Sequence, residues 1–568
     1  MKMETRSRSA AKKRTRDILD EEGENQFELI ANPDFNVNSL LEGLTFSKDG
    51  KYVVLDSKLI KRLCPDTETE PEEPARPNPF AHVPEFLDVM KSEKSLTSEF
   101  LNECSESFHG NKNSKNMAEM IGNLPIDWLA LRRSQLKEDD WEYNVKASVT
   151  PRVTNQLHSG RCWIFSFLNA IRYGTIKKLD LETKFEFSAA YLFFYDKWER
   201  ANFLLESMWS LRDRELDDRY VRIFTAPETY MSDGGLWNYA YNLANKYGLV
   251  PKSVYGDSYN CMVSDYMNNI LQLVLNRWAL EIFNNKDTWS RETFEVKKKK
   301  WNSIIYDLLV KFMGEPPKSD QKFNWVFQDA RGERKVLKET PKTFYSRVVP
   351  HNNETKVVVI HDPRHEYYKT HLLEYGNNMV GGIPANFLNL PMKDFKRVVA
   401  ESLNNDECVW MGTDVGKCMD PEDNTLDTKR FDYEAVLGTQ IFFDKKDMLE
   451  MMVSGGTHAM VFCGVDIDDT DPENPIYKKW RIENSWGMDV EMEWAKDHGY
   501  WRMTDDHFEK FTYMAVVDLK YFDEDIAQKM LENKNDVVVY KPWDSFGGVA
   551  FNGACSHCKK PKTFKKHN

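Results

Sequence analysis

Apolar and polar positions alternate along this chain in two distinct ways. From Cys162 to about Lys178 apolar residues recur at helical spacing, predicting a long amphipathic helix. Residues 263–283 place Met267, Ile270, Leu271, Val274, Trp278 and Ile282 on one helical face. Residues 301–312 do the same with Trp301, Ile304, Ile305, Leu308, Leu309 and Phe312. The last third turns to short apolar runs typical of strands: Cys408–Gly412, Gly456–Asp466, Lys478–Asn484 and Gly499–Met503. Helices first and strands last predict an α+β fold with segregated halves.

Other stretches carry no such pattern. Residues 1–25 read as disordered, and Cys64 to Phe80 is rich in proline and acid with little to bury, as in a linker. Ordered structure is expected from about residue 93. No run approaches the roughly 18 apolar residues of a membrane span. The basic N-terminus lacks an apolar core region, so it does not read as a secretory signal. Nine cysteines in 568 residues, irregularly spaced, fit reduced thiols in the cytoplasm. Net charge is −13, unevenly spread: residues 1–16 sum to +6 and 551–568 to +5, leaving −24 for the rest. The tails could attract anions, including nucleic acid, while the body would repel them. The cluster around Lys12, Lys13 and Arg14, running to Arg16, suits either nuclear import or a solvated tail.

Four polar residues stand out against this background. Gln156 lies six residues before Cys162, which heads the first helical pattern. His458 and Asn484 lie in the strand-rich third. A thiolate is the attacking species, and a helix first turn together with a neighbouring imidazolium favours that anion. The Gln156 amide and the Cys162 N–H could hold an oxyanion. Asp468 to Asn474 is a polar turn, and a hairpin symmetric about Asp471 would set His458 directly opposite Asn484. The imidazole could then bond the Asn484 amide, which would fix its tautomer. Trp486 could shield that bond from water or simply fill core. His361, His365 and His371 lack any partner completing a recognised zinc pattern. Cys555 and Cys558 form a single CxxC, so no metal and no cofactor is expected.

At these residues the chain resembles the papain-like cysteine peptidases, and within them the bleomycin hydrolase family. Further motifs carry the resemblance: Phe185 to Ser188, Tyr191 to Phe194, Asp233 to Trp237, Asp362 to Arg364, Asn378 to Gly382, Asp414 to Lys417, and Pro542 to Asp544. The likeness spans about residues 93–550. It implies a two-lobed fold, one lobe helical and one antiparallel β, with a large helical insertion near 262–400. A cytosolic thiol aminopeptidase assembled as a homohexamer and acting on peptides is implied too. Cys162 would be nucleophile, His458 base and acid, Asn484 orienter and Gln156 oxyanion donor. Gly234 and Gly235 would bind peptide backbone, with Trp486 beside them in the cleft.

Two departures qualify it. Residues 1–92 form an additional extension that opens on a basic cluster. The family's chains end near the position of Ala550, where the terminal carboxylate meets the substrate amine, but this chain continues through residues 551–568. A neutral amide there cannot pair with an ammonium as a carboxylate does. Trimming of the tail would give an aminopeptidase. A retained tail would give an autoinhibited enzyme or one shifted toward endopeptidase activity. A nucleic-acid-binding protein with secondary peptidase activity is the alternative from another class.

Overall fold

The computed structural model describes residues 95–548, except 135–139, 228, 472–473, 489–498 and 534, together with two short strands upstream. The chain divides into two compact units, residues 1–104 and 105–568. In the first unit, Leu44–Phe46 pairs antiparallel with Val53–Leu55. The linker expected at 64–80 and the tail at 551–568 lie outside the described residues.

Five helices of the second unit frame the site. These are α1 (Cys162–Leu179), α2 (Ala189–Leu211), α3 (Trp237–Tyr247), α4 (Asp265–Asn284) and α5 (Arg291–Met313). Helix α1 begins where the sequence pattern places it. It stops at Asp180, whose left-handed backbone (φ 51°) returns its N–H to the Ile176 and Lys177 carbonyls. Lys177 and Lys178 in its last turn complement the helix dipole. Helix α2 starts on Ser188, whose hydroxyl accepts the Tyr191 N–H at 3.0 Å. Trp163, Leu192, Phe193, Leu204, Leu271 and Ile305 share one core.

The strands are β1 (Phe323–Gln328), β2 (Arg334–Glu339), β3 (Lys356–Ile360), β4 (Thr370–Leu373), β5 (Asn386–Asn389), β6 (Val409–Thr413), β7 (His458–Asp468), β8 (Ile476–Glu483), β9 (Tyr500–Thr504), β10 (Thr512–Asp518) and β11 (Val537–Tyr540). Strands β1 and β2 form a separate hairpin. The others join one large sheet in the order β9-β8-β7-β6-β10-β3-β5-β4-β11, continued beyond β9 by the two-residue strands Thr425–Leu426 and Met419–Asp420, with Val145–Lys146 also pairing on β7. One sheet face packs on the helical core. The other packs with α6 (Met392–Asn404), whose Phe395, Val398, Val399 and Leu403 meet Met460, Phe462, Trp480 and Val517.

Residues 262–400, expected as a helical insertion, are helical through Met313 and again from Met392, with only short helical turns at Pro341–Thr343, Phe344–Val348 and Asn353–Thr355 between. Between Met313 and Met392, β1 to β5 occupy much of the stretch, and β3, β4 and β5 belong to the main sheet. The β-branched run in Lys356–Ile360 explains part of the difference, because such residues fit a pleated, buried surface. Of the two predicted apolar faces, Met267, Leu271, Trp278, Ile282, Trp301, Ile305 and Leu309 are buried, whereas Ile304 is exposed. Ile304 adjoins Ile305 in sequence, and one helical step of about 100° carries it off the buried stripe. Among the described residues no helix is long and apolar enough to cross a membrane.

Candidate functional site

Cys162 is the first residue of α1, so its N–H belongs to the turn that lacks intrahelical acceptors. It is buried, and its Sγ lies 3.9 Å from the Gly160 carbonyl. The turn before it is held from below by Asp233, a buried carboxylate. Asp233 accepts the Gly160 N–H (2.9 Å) and the Asn268 amide (2.6 Å), takes the Ser264 hydroxyl as well, and pairs with the buried Lys197 (3.1 Å). Burial alone would raise its pKa, but Lys197 and the three donors hold it below the usual carboxylate range. The carbonyl of Asp233 also receives the Trp163 indole N–H at 2.6 Å. From the sheet side, Trp410 of β6 donates to the Trp163 carbonyl at 3.2 Å. The cysteine is therefore bracketed on both sides by fixed partners of its neighbours.

His458 opens β7 and pairs with Thr413 of β6. The turn leading into it is tied to Asp414, which accepts Ser454 Oγ (2.8 Å) and Thr457 Oγ1 (3.3 Å). Its Nε2 lies 2.8 Å from Asn484 Oδ1. The same oxygen accepts the Ser485 backbone N–H at 2.7 Å. An amide N–H can only donate, so this contact fixes which way the Asn484 side chain is turned. His458 Nε2 must then carry a proton, and in the neutral ring Nδ1 holds the lone pair.

The expected hairpin exists with a different register. Val461 faces Glu483 and Phe462 faces Ile482, with bulges further along the ladder. A turn symmetric about Asp471 would have paired Val461 with Arg481. The ladder is thus shifted by two residues, and His458 and Asn484 do not stand directly opposite. A two-residue shift preserves which face each side chain occupies, so they still meet on a diagonal.

Gln156 is fully buried. Its Nε2 donates to the Ser159 carbonyl (2.6 Å), its Oε1 accepts Ser485 Oγ (2.6 Å), and its N–H donates to the Ser485 carbonyl (2.8 Å). Asn155 bridges to Trp486 next to this contact. The Trp486 ring lies 4.9 Å from the His458 ring and meets Trp501 edge-on at 5.4 Å. Gln156, His458, Asn484 and Trp486 therefore form one connected group. Ser485 links its parts, although sequence reasoning had assigned it no role; its position in the Asn484–Trp486 segment was the available signal.

Gly234 and Gly235 lie beside Trp163. A Cβ on Gly235 would sit 2.5 Å from the Trp163 indole, so only glycine fits. The Gly234 carbonyl accepts a hydrogen bond from buried Arg200. A buried pair, Arg172 of α1 with Glu483 of β8, joins the cysteine's helix to the residue before Asn484.

The three histidines considered for metal take other partners. His361 Nδ1 faces the Leu390 carbonyl at 3.0 Å, and the His365 and His371 rings pack edge-on at 5.3 Å. Among the described residues no group of His, Cys, Asp and Glu is arranged to hold a metal ion. Cys555 and Cys558 lie outside the described residues.

Residues 95–547 match the model of the Peptidase C1-like family. An aminopeptidase C of Lactobacillus delbrueckii subsp. lactis is 36% identical over 71% of this chain and 87% of its own length. Human bleomycin hydrolase is 33% identical over 70% of this chain and 86% of its own. The crystal structure of PepW from Lactobacillus rhamnosis HN001 superposes with a TM-score of 0.74 at 30% identity, covering 80% of this chain and 99% of that one.

Proposed function

The chain belongs to the Peptidase C1-like family, with the papain-like fold of a cysteine peptidase, and from that premise we propose an aminopeptidase of the bleomycin hydrolase kind. Cys162 Sγ attacks the carbonyl of the first peptide bond. His458 Nδ1 takes the thiol proton and later gives it to the leaving amine. Asn484 holds the ring through Nε2, and the Asn484–His458 contact of 2.8 Å, with its tautomer set by Ser485, is the observation that carries this reading. The developing oxyanion is held by the Cys162 N–H and the second N–H of the Gln156 amide, whose first N–H is engaged by Ser159. Water then cleaves the thioester, with His458 as base. Trp486 covers the His458–Asn484 bond, and Gly234 and Gly235 lie against the residue following the nucleophile, where peptide backbone would run.

Preference for free amino termini is the finer part of this proposal. Its support is the fastening of Ser545, next to the last described residues, to the segment that precedes His458. The Ser545 carbonyl packs so closely on Gly455 that a Cβ there would lie 2.9 Å away. Ser545 Oγ donates to the Leu449 carbonyl at 3.0 Å, and Asp544 pairs with Arg364 at 3.0 Å. Trimming of residues 551–568 belongs to this reading. So do a homohexamer, a cytoplasmic location (consistent with six described cysteines, all free) and weak nucleic-acid binding by the basic tails.

One fluorogenic peptide offered with its amino terminus free and acetylated tests the proposal. Strong preference for the free amine, lost altogether in Cys162→Ala, is the expected result. Equal cleavage of both forms would replace it with the endopeptidase reading. Turnover surviving Cys162→Ala would overturn the assignment of the nucleophile.

A further inference from the structure

The turn between Gln156 and Cys162 is closed by two hydrogen bonds that join the same pair of residues. Gln156 Nε2 donates to the Ser159 carbonyl at 2.6 Å, and Ser159 Oγ donates to the Gln156 carbonyl at 2.7 Å. The direction of the second bond is settled by Arg161, whose Nε lies 2.8 Å from the same hydroxyl. A guanidinium can only donate, so Ser159 Oγ accepts from Arg161 and commits its single hydrogen to the Gln156 carbonyl. At its other end Arg161 is held by Asp257, with Nη1 and Oδ1 2.5 Å apart. Its guanidinium lies over the Phe165 and Phe193 rings, at 5.3 and 5.4 Å. One directed series of contacts therefore runs from Asp257 through Arg161 and Ser159 to Gln156.

Stability gives little reason for a cation here. The Arg161 side chain is fully buried, and its Nη2 has no hydrogen-bond partner among the described residues. A buried ion pair adds little net stability over an apolar side chain of similar volume. What Arg161 supplies is direction. The Gln156 side-chain amide has two fixed contacts: Oε1 accepts Ser485 Oγ at 2.6 Å, and one Nε2 hydrogen goes to the Ser159 carbonyl. Those two contacts set the plane of the amide and hence the aim of its remaining N–H. A shift of Ser159 turns that N–H, and an oxyanion donor acts only when it is aimed at the place the charged oxygen will occupy.

We propose, resting on the oxyanion role given to Gln156 above, that Arg161 and Ser159 are positioning residues that aim the Gln156 amide at the developing oxyanion. Neither touches the substrate. Their contribution is confined to steps that place negative charge on the carbonyl oxygen, and it does not extend to the reactivity of the thiolate itself.

The test compares, in full-length chains, turnover of the free-amine fluorogenic peptide with the rate at which iodoacetamide inactivates the enzyme. Both need the Cys162 thiolate, but displacement of iodide from a saturated carbon forms no oxyanion. Ser159→Ala leaves the Arg161–Asp257 pair in place. Arg161→Lys keeps the charge but lacks a fork able to serve Asp257 and Ser159 together. Each should lower kcat by about ten- to a hundredfold, with KM and the inactivation rate within about twofold of wild type. Gln156→Ala should lower kcat by about a hundred- to a thousandfold, and adding Ser159→Ala to it should change kcat by less than about twofold, because both act on one donor. A wild-type kcat in Ser159→Ala would overturn the proposal. So would inactivation slowed in proportion to kcat, which would mark a general distortion around Cys162, or additive losses in the double variant. Arg161→Lys with a wild-type kcat would take Arg161 out of the series and overturn the proposal as stated; if that variant does not fold, Ser159→Ala and the double variant decide. Undiminished turnover in Gln156→Ala would overturn the oxyanion role of Gln156 and this proposal with it, whereas a loss there without one in Ser159→Ala would overturn this proposal alone.

Discussion

His458 and Asn484 meet diagonally across the β7–β8 hairpin, with Nε2 and Oδ1 2.8 Å apart and neither residue facing the other in the ladder. Because Ser485 occupies the same oxygen through its N–H, the imidazole has only one neutral tautomer compatible with the contact.

The two residues should therefore fail differently when removed. With His458 as the proposed base, His458→Ala should lower kcat by roughly a hundredfold to ten-thousandfold. Asn484→Ala removes a hydrogen bond that strengthens as the ring becomes charged. Such bonds contribute about 1.5–3 kcal/mol, equivalent to about ten- to a hundredfold in kcat. Steady-state kinetics on one peptide orders the two; an Asn484→Ala loss equal to that of His458→Ala would contradict the orienting role.

Arg172 and Glu483 test how the helix is bound to the sheet. Both are buried, and burial pushes the Glu483 carboxyl up while Arg172 draws it back. Arg172 also donates to the Arg152 (3.1 Å) and Phe185 (3.2 Å) carbonyls. Arg172→Met strands a buried carboxylate and should cost about 3–5 kcal/mol in urea unfolding. Adding Glu483→Gln should restore much of that loss, because no uncompensated charge then remains.

Gly235→Ala should act through Trp163. The new Cβ has to displace the indole next to the nucleophile, a misfit typically costing about 1–3 kcal/mol. Melting temperature and kcat are expected to fall together. A variant of normal stability that loses only affinity for peptide would instead place the effect in substrate binding.

His371 sets an acid limit on stability. It is fully buried, neither ring nitrogen has a hydrogen-bond partner among the described residues, and burial brings its pKa down to about 4 from 6.5, with His365 and Arg364 adding to the effect and Asp362 and Asp544 opposing it. Between those values the unfolded chain binds a proton that the folded chain refuses. Stability therefore rises with pH through the window and is lost as pH falls from about 6.5 toward 4, by at most about 1.4 kcal/mol per pH unit. His361 and His507 are depressed in the same direction. His371→Phe should flatten part of the acid limb of a melting-temperature profile. An unchanged slope would mean that the buried imidazole does not titrate in this range.

Much of the site was legible because its chemistry is local in sequence. Gln156 and Cys162 sit in one turn, and the start of α1 follows from the apolar spacing after Cys162. The β7–β8 pairing could be anticipated from two apolar runs around a polar turn, but its register could not. Asp468 already faces Ile476 where the strands leave the turn, so the two-residue shift is set there, and the bulges between Phe462 and Gly464 and between Asp466 and Ile467 offset each other before Val461 meets Glu483. The helical insertion implied by the resemblance covers residues 356–389, but the β-branched run Lys356–Ile360 is a strand. The supports of the site were invisible for another reason. Asp233 with Lys197, and Arg172 with Glu483, unite residues far apart in sequence, and charged residues in a single sequence look like solvated surface.

The strand order has a consequence for when the protein becomes dangerous to its surroundings. Strand β7 is an interior strand, and its neighbour β6 is paired on the other side by β10, residues Thr512–Asp518. Cys162, the proposed nucleophile, is thus synthesised 322 residues before Asn484 (484 − 162), and the sheet that holds His458 is completed later still. At about 5–20 residues per second, that interval lasts tens of seconds on the ribosome. During it the thiol has neither base nor orienter, and the non-local pairing that supplies them is the slow kind. If Cys162, His458 and Asn484 hold the proposed roles, a nascent or truncated chain would be chemically mute, and proteolytic activity would be a certificate of finished folding.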